Sequence, residues 1–91
     1  MRFEWDENKN RINQIKHSVD FYDAIEIFKD DKRIEIIDQR KDYGEIRYQA
    51  IGLVDNEIMH TVYTIRNENH RIISARRGSK NERKNYYSRT D

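Results

Sequence analysis

Residues Glu45–Arg77 read EIRYQAIGLVDNEIMHTVYTIRNENHRIISARR, and this run decides the fold. β-Branched and aromatic residues recur through it, broken by two polar interruptions, Asp55-Asn56 and Asn67-Glu68-Asn69. Such residues suit a pleated, half-buried surface, and Asn and Asp tolerate the left-handed backbone of a tight hairpin. The pattern predicts three consecutive strands, Glu45–Val54, Glu57–Arg66 and His70–Arg77, joined by a two-residue and a three-residue turn. Just upstream, Ile34-Glu35-Ile36-Ile37 predicts a further strand over Arg33–Asp38.

Working outward, Phe3-Glu4-Trp5 alternates like a short strand, and Asp6 is placed to cap a helix containing Ile12 and Ile15. Asp20 caps a second helix, Asp23 sits in its first turn where a carboxylate is favoured, and Phe21, Ala24, Ile25 and Phe28 share one apolar stripe. Beyond the strands, Ser79-Lys80-Asn81-Glu82 matches the capping box S-x-x-E and opens a final helix with Arg83, Tyr86 and Tyr87. The order predicts one α+β domain over residues 1–91: an antiparallel sheet with two N-terminal helices packed on it and one C-terminal helix.

A hydrophobic fraction of 35% beside 38% charged residues lies near the disorder boundary, but ten aromatics argue for a real core. The absence of cysteine excludes a disulfide framework, a thiolate metal site and a thiol nucleophile, and it fits a reducing compartment. No apolar run approaches the roughly 18 residues of a membrane helix, and Met1-Arg2-Phe3-Glu4-Trp5-Asp6 lacks a signal region, so a soluble cytoplasmic protein without membrane contact is expected. Net charge is only +1, yet residues 66–90 carry eight Lys/Arg against Glu68 and Glu82. That asymmetry suits nucleic acid or an acidic protein, and equally a solvated, salt-bridged helix.

Side chains alternate along a strand, so each strand divides into two faces. Ile46, Tyr48 and Ala50 oppose Glu45, Arg47 and Gln49; Met59, Tyr63 and Ile65 oppose His60, Thr64 and Arg66; Ile73 and Ala75 oppose Ser74 and Arg76, with Ile72 intruding on the polar side. Alternation also sets Arg76 opposite Arg71 and Arg77. One face should therefore be covered by helices and the other left polar and cationic. An open basic sheet flanked by Trp5, Tyr86 and Tyr87 suits single-stranded RNA, with cations for phosphates and rings for bases; an ordinary solvated sheet reads the same way.

His17, His60 and His70 fall on separate segments without metal-ligand spacing, and Gly44, Gly52 and Gly78 are too isolated to form a phosphate loop, so neither metal nor cofactor is expected. What remains for cutting RNA is attack by the substrate's own 2′-OH, which needs a base, an acid and fixed cations. His17 and Glu45 are the proton-transfer candidates, and Arg66, Arg71, Arg76 and Arg77 the charge stabilisers. Glu45 reads equally as the holder of an arginine, His17 as a helix-end residue at the dipole, and Trp5 as a core anchor.

Several stretches resemble the BrnT toxin family. Phe3-Glu4-Trp5-Asp6, Lys9, Asn13, Lys16-His17, Val19-Asp20-Phe21 and Ala24 match its N-terminal signature. Asp42-Tyr43-Gly44-Glu45-x-Arg47, Gly52, Tyr63-Thr64-x-Arg66, Arg71-Ile72-Ile73-Ser74-Ala75-Arg76-Arg77, Glu82-Arg83 and Tyr86 follow in order. Ser18 replaces the family's usual glycine, Ile46 a frequent second glutamate, and Gly78 a small residue such as alanine. The resemblance implies a RelE-like fold and a type II toxin–antitoxin ribonuclease that inhibits translation by cutting mRNA. It further implies a BrnA-like antitoxin through which a hetero-oligomer binds operator DNA. With residues and resemblance combined, His17, Glu45, Arg66, Arg76 and Tyr86 are the catalytic candidates of a metal-independent endoribonuclease, and Trp5, Lys16, Arg47, Ser74, Arg77 and Arg83 the substrate-binding ones. The rival reading is a non-catalytic basic module that grips nucleic acid or an antitoxin.

Overall fold

The two turns inside Glu45–Arg77 set the sheet. Asp55 (φ 48°) and Asn56 (φ 65°) both lie in the left-handed region, as do Asn67 (φ 50°) and Glu68 (φ 69°). Two successive positive φ values define the hairpin turn whose twist matches that of the strands it joins. The second turn is thus two residues long rather than three, and Asn69 pairs with Arg66 as part of the strand.

The computed structural model describes residues 1–89; residues 90 and 91 lie outside the described part of the domain expected over 1–91. The elements are β1 (Phe3–Glu4), α1 (Glu7–His17), α2 (Phe21–Ala24) running on as a 3₁₀ helix (Ile25–Lys29), β2 (Ile34–Ile37), β3 (Arg47–Val54), β4 (Glu57–Arg66), β5 (Asn69–Arg77) and α3 (Lys80–Arg89). The sheet order is β1-β5-β4-β3-β2. Neighbours are antiparallel except β1, which runs parallel to β5. The fold is the expected α+β class, with a mixed five-stranded sheet where a wholly antiparallel one was predicted.

The anticipated caps are present. Asp6 accepts from the Asn8 backbone N–H (2.8 Å), Asp20 from that of Tyr22 (3.0 Å), and Ser79 and Glu82 exchange the two bonds of the capping box. Ser18 ends α1 at φ 57°, the conformation a glycine there would reach without steric cost.

One face of the sheet is covered by α2 and the 3₁₀ turn. Phe21, Ala24, Ile27 and Phe28 pack on Ala50, Val54, Met59, Tyr63, Ile72 and Ala75. Gly52 permits this approach, since a Cβ there would lie 3.0 Å from Ile27 Cγ1. A smaller cluster of Ile34, Ile51, Ile58 and Tyr86 closes one end of the opposite face beneath α3.

α1 docks by hydrogen bonds. Ile12 and Ile15 are exposed, whereas Asn10 and Asn13 are buried. Asn13 Nδ2 donates to the carbonyls of Ala75 (2.8 Å) and Val19 (2.9 Å), and its Oδ1 accepts from Ala75 N–H (3.1 Å). Its amide thus replaces a neighbouring strand at the β5 edge.

A register shift at Val62/Tyr63 sets Val62 opposite Ser74 but Tyr63 opposite Ile72, leaving Ile73 as the extra residue of a bulge. Ile72 and Ala75 therefore both enter the helix-covered core, which accounts for the break in alternation at Ile72. The bulge also overturns the parity of Arg71. It lies opposite Thr64 and shares the open face with Ser74 and Arg76. No helix among the described residues is long and apolar enough to cross a membrane.

Candidate nucleic-acid interface

The open face is assembled from three central strands, and its fixed points are carboxylate–guanidinium pairs. At the end of β5, Arg76 Nη1 and Nη2 donate to Glu82 Oε1 (2.8 Å) and Oε2 (2.9 Å), a bidentate pair. The same carboxylate accepts from Ser79 N–H (2.8 Å), so one side chain orients Arg76 and starts α3. Burial pushes the Glu82 carboxyl up, but the bonds from Arg76 and Ser79 prevail and hold it at about 2.

His60 lies opposite Arg76 on β4 and is 2% exposed, with Nε2 2.7 Å from Gln49 Oε1. Burial, and next the Arg76 charge, push its pKa down, so the ring is neutral at physiological pH. Asp38 is buried at the end of β2 and accepts from Arg40 Nε and Nη2 (2.8 Å each) and Tyr43 Oη (3.1 Å). The Arg40 hydrogen bonds keep its carboxyl well below the usual range despite burial.

Toward the other end of this face, Glu45 accepts from Arg47 Nε and Arg66 Nη2, both at 3.1 Å, and these two bonds, Arg47's first, lower its pKa. The Arg47 guanidinium carbon lies 4.2 Å from the centre of the Tyr43 ring. Arg71 Nη1 donates to Glu4 Oε2 at 2.6 Å. Arg40, Arg47, Arg66, Arg71 and Arg76 are thus each oriented by a carboxylate. Their long side chains are therefore held in fixed positions by the fold itself.

At the margin, Lys9, Ile12, Asn13, Lys16 and His17 of α1 meet Ile73 and Ser74 of β5 around a cleft of about 160 Å³. The bulge makes this junction, because Ser74 belongs to the open face while Ile73 turns out beside it.

The structure therefore brings Arg76, Ser74, Arg47, Glu45 and Arg66 onto one face, with Lys16 and His17 on its rim. Four expected residues lie apart. Arg77 pairs with Glu57 (3.0 Å) and lines a separate cleft of about 240 Å³ with Gly78, Arg83 and Tyr87. Arg83 Nη1 also donates to the Gly78 carbonyl (2.8 Å). Trp5 packs against Phe21 and Tyr22 and donates to Glu7 (2.8 Å). Tyr86 is 2% exposed and donates to Asp30 Oδ2 (2.5 Å), with burial and then Asp30 raising its pKa to about 12.

Sequence reasoning did not select Asp38, Arg40, Tyr43, Gln49 or His60 for the site. For His60 and Gln49 the signal existed, since both carry the polar parity of adjacent strands. Asp38 and Arg40 gave none, because an Asp two residues before an Arg is common in exposed loops. Among the described residues, no three His, Cys, Asp or Glu side chains converge as metal ligands.

Fold and face together define a small α+β protein with one side of its sheet covered by helices and the other, closed at one end by α3, carrying guanidinium groups that carboxylates hold in place. The family model described as "Ribonuclease toxin, BrnT, of type II toxin-antitoxin system" matches residues 5–82, and the chain belongs to that family. RNA is accordingly its substrate and an antitoxin its partner. The match takes in the Arg76–Glu82 pair and stops there, leaving the rest of α3 beyond it. No curated protein matches the sequence significantly.

Proposed function

We propose that this toxin is a metal-independent endoribonuclease that binds mRNA across the open sheet face and inhibits translation in the cytoplasm. The observation that carries the reading is the bidentate Arg76–Glu82 pair set beside His60, with Arg47, Arg66 and Arg71 on the same face. In the proposed reaction the substrate 2′-OH loses its proton and attacks phosphorus, the bond to the 5′-oxygen breaks, and that oxygen takes up a proton. The products are a 2′,3′-cyclic phosphate and a free 5′-OH.

Arg76 stabilises the negative charge that builds on the phosphate. Glu45 serves as the holder of Arg47 and Arg66, because its lowered pKa makes it a weak base and both its oxygens are engaged. Proton transfer then falls to His17, on the rim next to Ser74, with Lys16 contacting the backbone. Tyr86, Trp5, Arg77 and Arg83 support the fold and its margins. The partner is a BrnA-like antitoxin, through whose DNA-binding domain the complex occupies operator DNA.

The test is purified chain incubated with RNA in excess EDTA. Cleavage to cyclic-phosphate ends is expected. Intact RNA in the presence of correctly folded protein, or cleavage that returns only on adding a divalent ion, overturns metal independence. RNA that is retained but uncut points to the binding module instead.

A further inference from the structure

The two edges of the sheet are finished differently. On the β5 side, β1 pairs with His70 and Arg71, and Asn13 satisfies the backbone of Ala75. On the other side β2 is the last strand, and no described segment pairs beyond it. Asp38 N–H donates to the Arg47 carbonyl (2.7 Å), so Asp38, Ile36 and Ile34 direct their backbone groups toward β3. Alternation then turns the N–H and C=O of Glu35 and Ile37 outward.

Exposed edges are usually blunted by charge or proline; here the one charge in β2 is Glu35, whose carboxylate is held by Tyr63 and Arg33, and the other three residues are isoleucines. Ile36 is 48% exposed on the polar face of the sheet, and Ile37 is 55% exposed on the opposite face. Beyond Ile37 on that face, strand parity adds Ile46 (62%) and Ile65 (45%), with half-buried Tyr48 between them. Lys32 and Lys41 bracket the strand, and neither forms an ion pair with a described carboxylate.

We propose that this edge receives an extended segment of the antitoxin, which pairs with the outward backbone of Glu35 and Ile37 as a sixth strand. Its side chains alternate between Ile36 on one face and the Ile37–Ile46–Ile65 patch on the other, with an acidic residue meeting Lys32 or Lys41. β2 leads directly into Asp38, whose carboxylate orients Arg40 in the arginine face. A segment anchored on β2 therefore runs beside that face, and its continuation covers the arginines against RNA. The antitoxin is the partner that the family supplies, whereas antiparallel self-pairing centred on Ile36 gains nothing from charge, since it sets Lys32 against Arg40 as well as Asp31 against Lys41. The inference rests on the chain being the toxin of a toxin–antitoxin pair and not on any catalytic assignment.

The test uses the full chain co-expressed with its antitoxin and compared with the free toxin. Backbone hydrogen exchange at Glu35 and Ile37 should slow by about tenfold or more in the complex. Ile37→Pro removes an N–H that the fold leaves unused, so it should weaken antitoxin binding by about tenfold or more while RNA cleavage stays at the wild-type rate. Unchanged exchange at both amides overturns the proposal. So does wild-type antitoxin affinity in a folded Ile37→Pro chain, or self-association through this edge with antitoxin binding unaffected. Should Ile37→Pro fail to fold, exchange in the wild-type complex decides. Inactive wild-type toxin in the cleavage assay counts against the ribonuclease reading and leaves the exchange result standing.

Discussion

One face of the sheet stacks rings, and the other lays out charges. On the covered face Phe28 lies 5.2 Å from Tyr63, Tyr63 lies 5.1 Å from His70 and 5.3 Å from Tyr48, and Phe3 adds a contact to Phe28 at 5.2 Å. On the open face five arginines each meet a carboxylate. Buried rings stabilise through area removed from water and ring geometry, whereas surface ion pairs contribute about 0–1 kcal/mol each, and among the carboxylate partners on this face only the Asp38 side chain is fully buried.

The sharpest break of that contrast is on the covered face. Phe28→Ala should cost about 3–5 kcal/mol of stability by urea or thermal unfolding, a typical loss for a buried aromatic. Any activity change should follow the folded fraction. On the open face the balance shifts: Arg76→Ala should slow RNA cleavage about 10²–10³-fold, as for loss of one preorganised donor, while costing about 1.5–3 kcal/mol of stability. A variant equally impaired in both assays would show that the two faces do not divide the work.

The smallest effect concerns pH. His60 and His70, one on each face, are both pushed below the ordinary histidine pKa of 6.5, chiefly by burial. The unfolded chain then binds more protons than the folded one, so stability falls as pH drops from 6.5. Around His60 stand Arg76, Glu82, Arg40 and Asp38; the two cations add to the downward shift and the two carboxylates oppose it. His60→Gln should flatten the unfolding curve as pH falls below 6.5, leaving the His70 contribution in place. An unchanged slope would mean that the ring gains a proton without penalty.

The element order and the caps were legible in the sequence because they depend on neighbours in the chain. Asp6, Asp20 and the Ser79–Glu82 box act over two or three residues, and the hairpin at Asp55-Asn56 depends on its own two φ values. The docking of α1 was not legible. Its buried residues are asparagines, and only the position of Ala75, 62 residues later, makes an amide suitable there. The second helix followed its apolar stripe, but after Ala24 the backbone tightens to a 3₁₀ helix against Gly52.

The basic C-terminal third shows the same division. Its charge excess is a property of the sequence, yet Glu4, Glu45 and Glu57 from the acidic part of the chain close on Arg71, Arg66 and Arg77. Arg76 alone among those four arginines finds its carboxylate within the segment, at Glu82. The sequence by itself determined the strands, the Asp55-Asn56 turn, the helix starts and the family, because these are written in local pattern and residue order. The tertiary structure alone decided which arginines share a face, since one extra residue at Ile73 turns Arg71 from one side of the sheet to the other. That choice lies in the pairing of β4 with β5, a long-range register that strand alternation cannot supply.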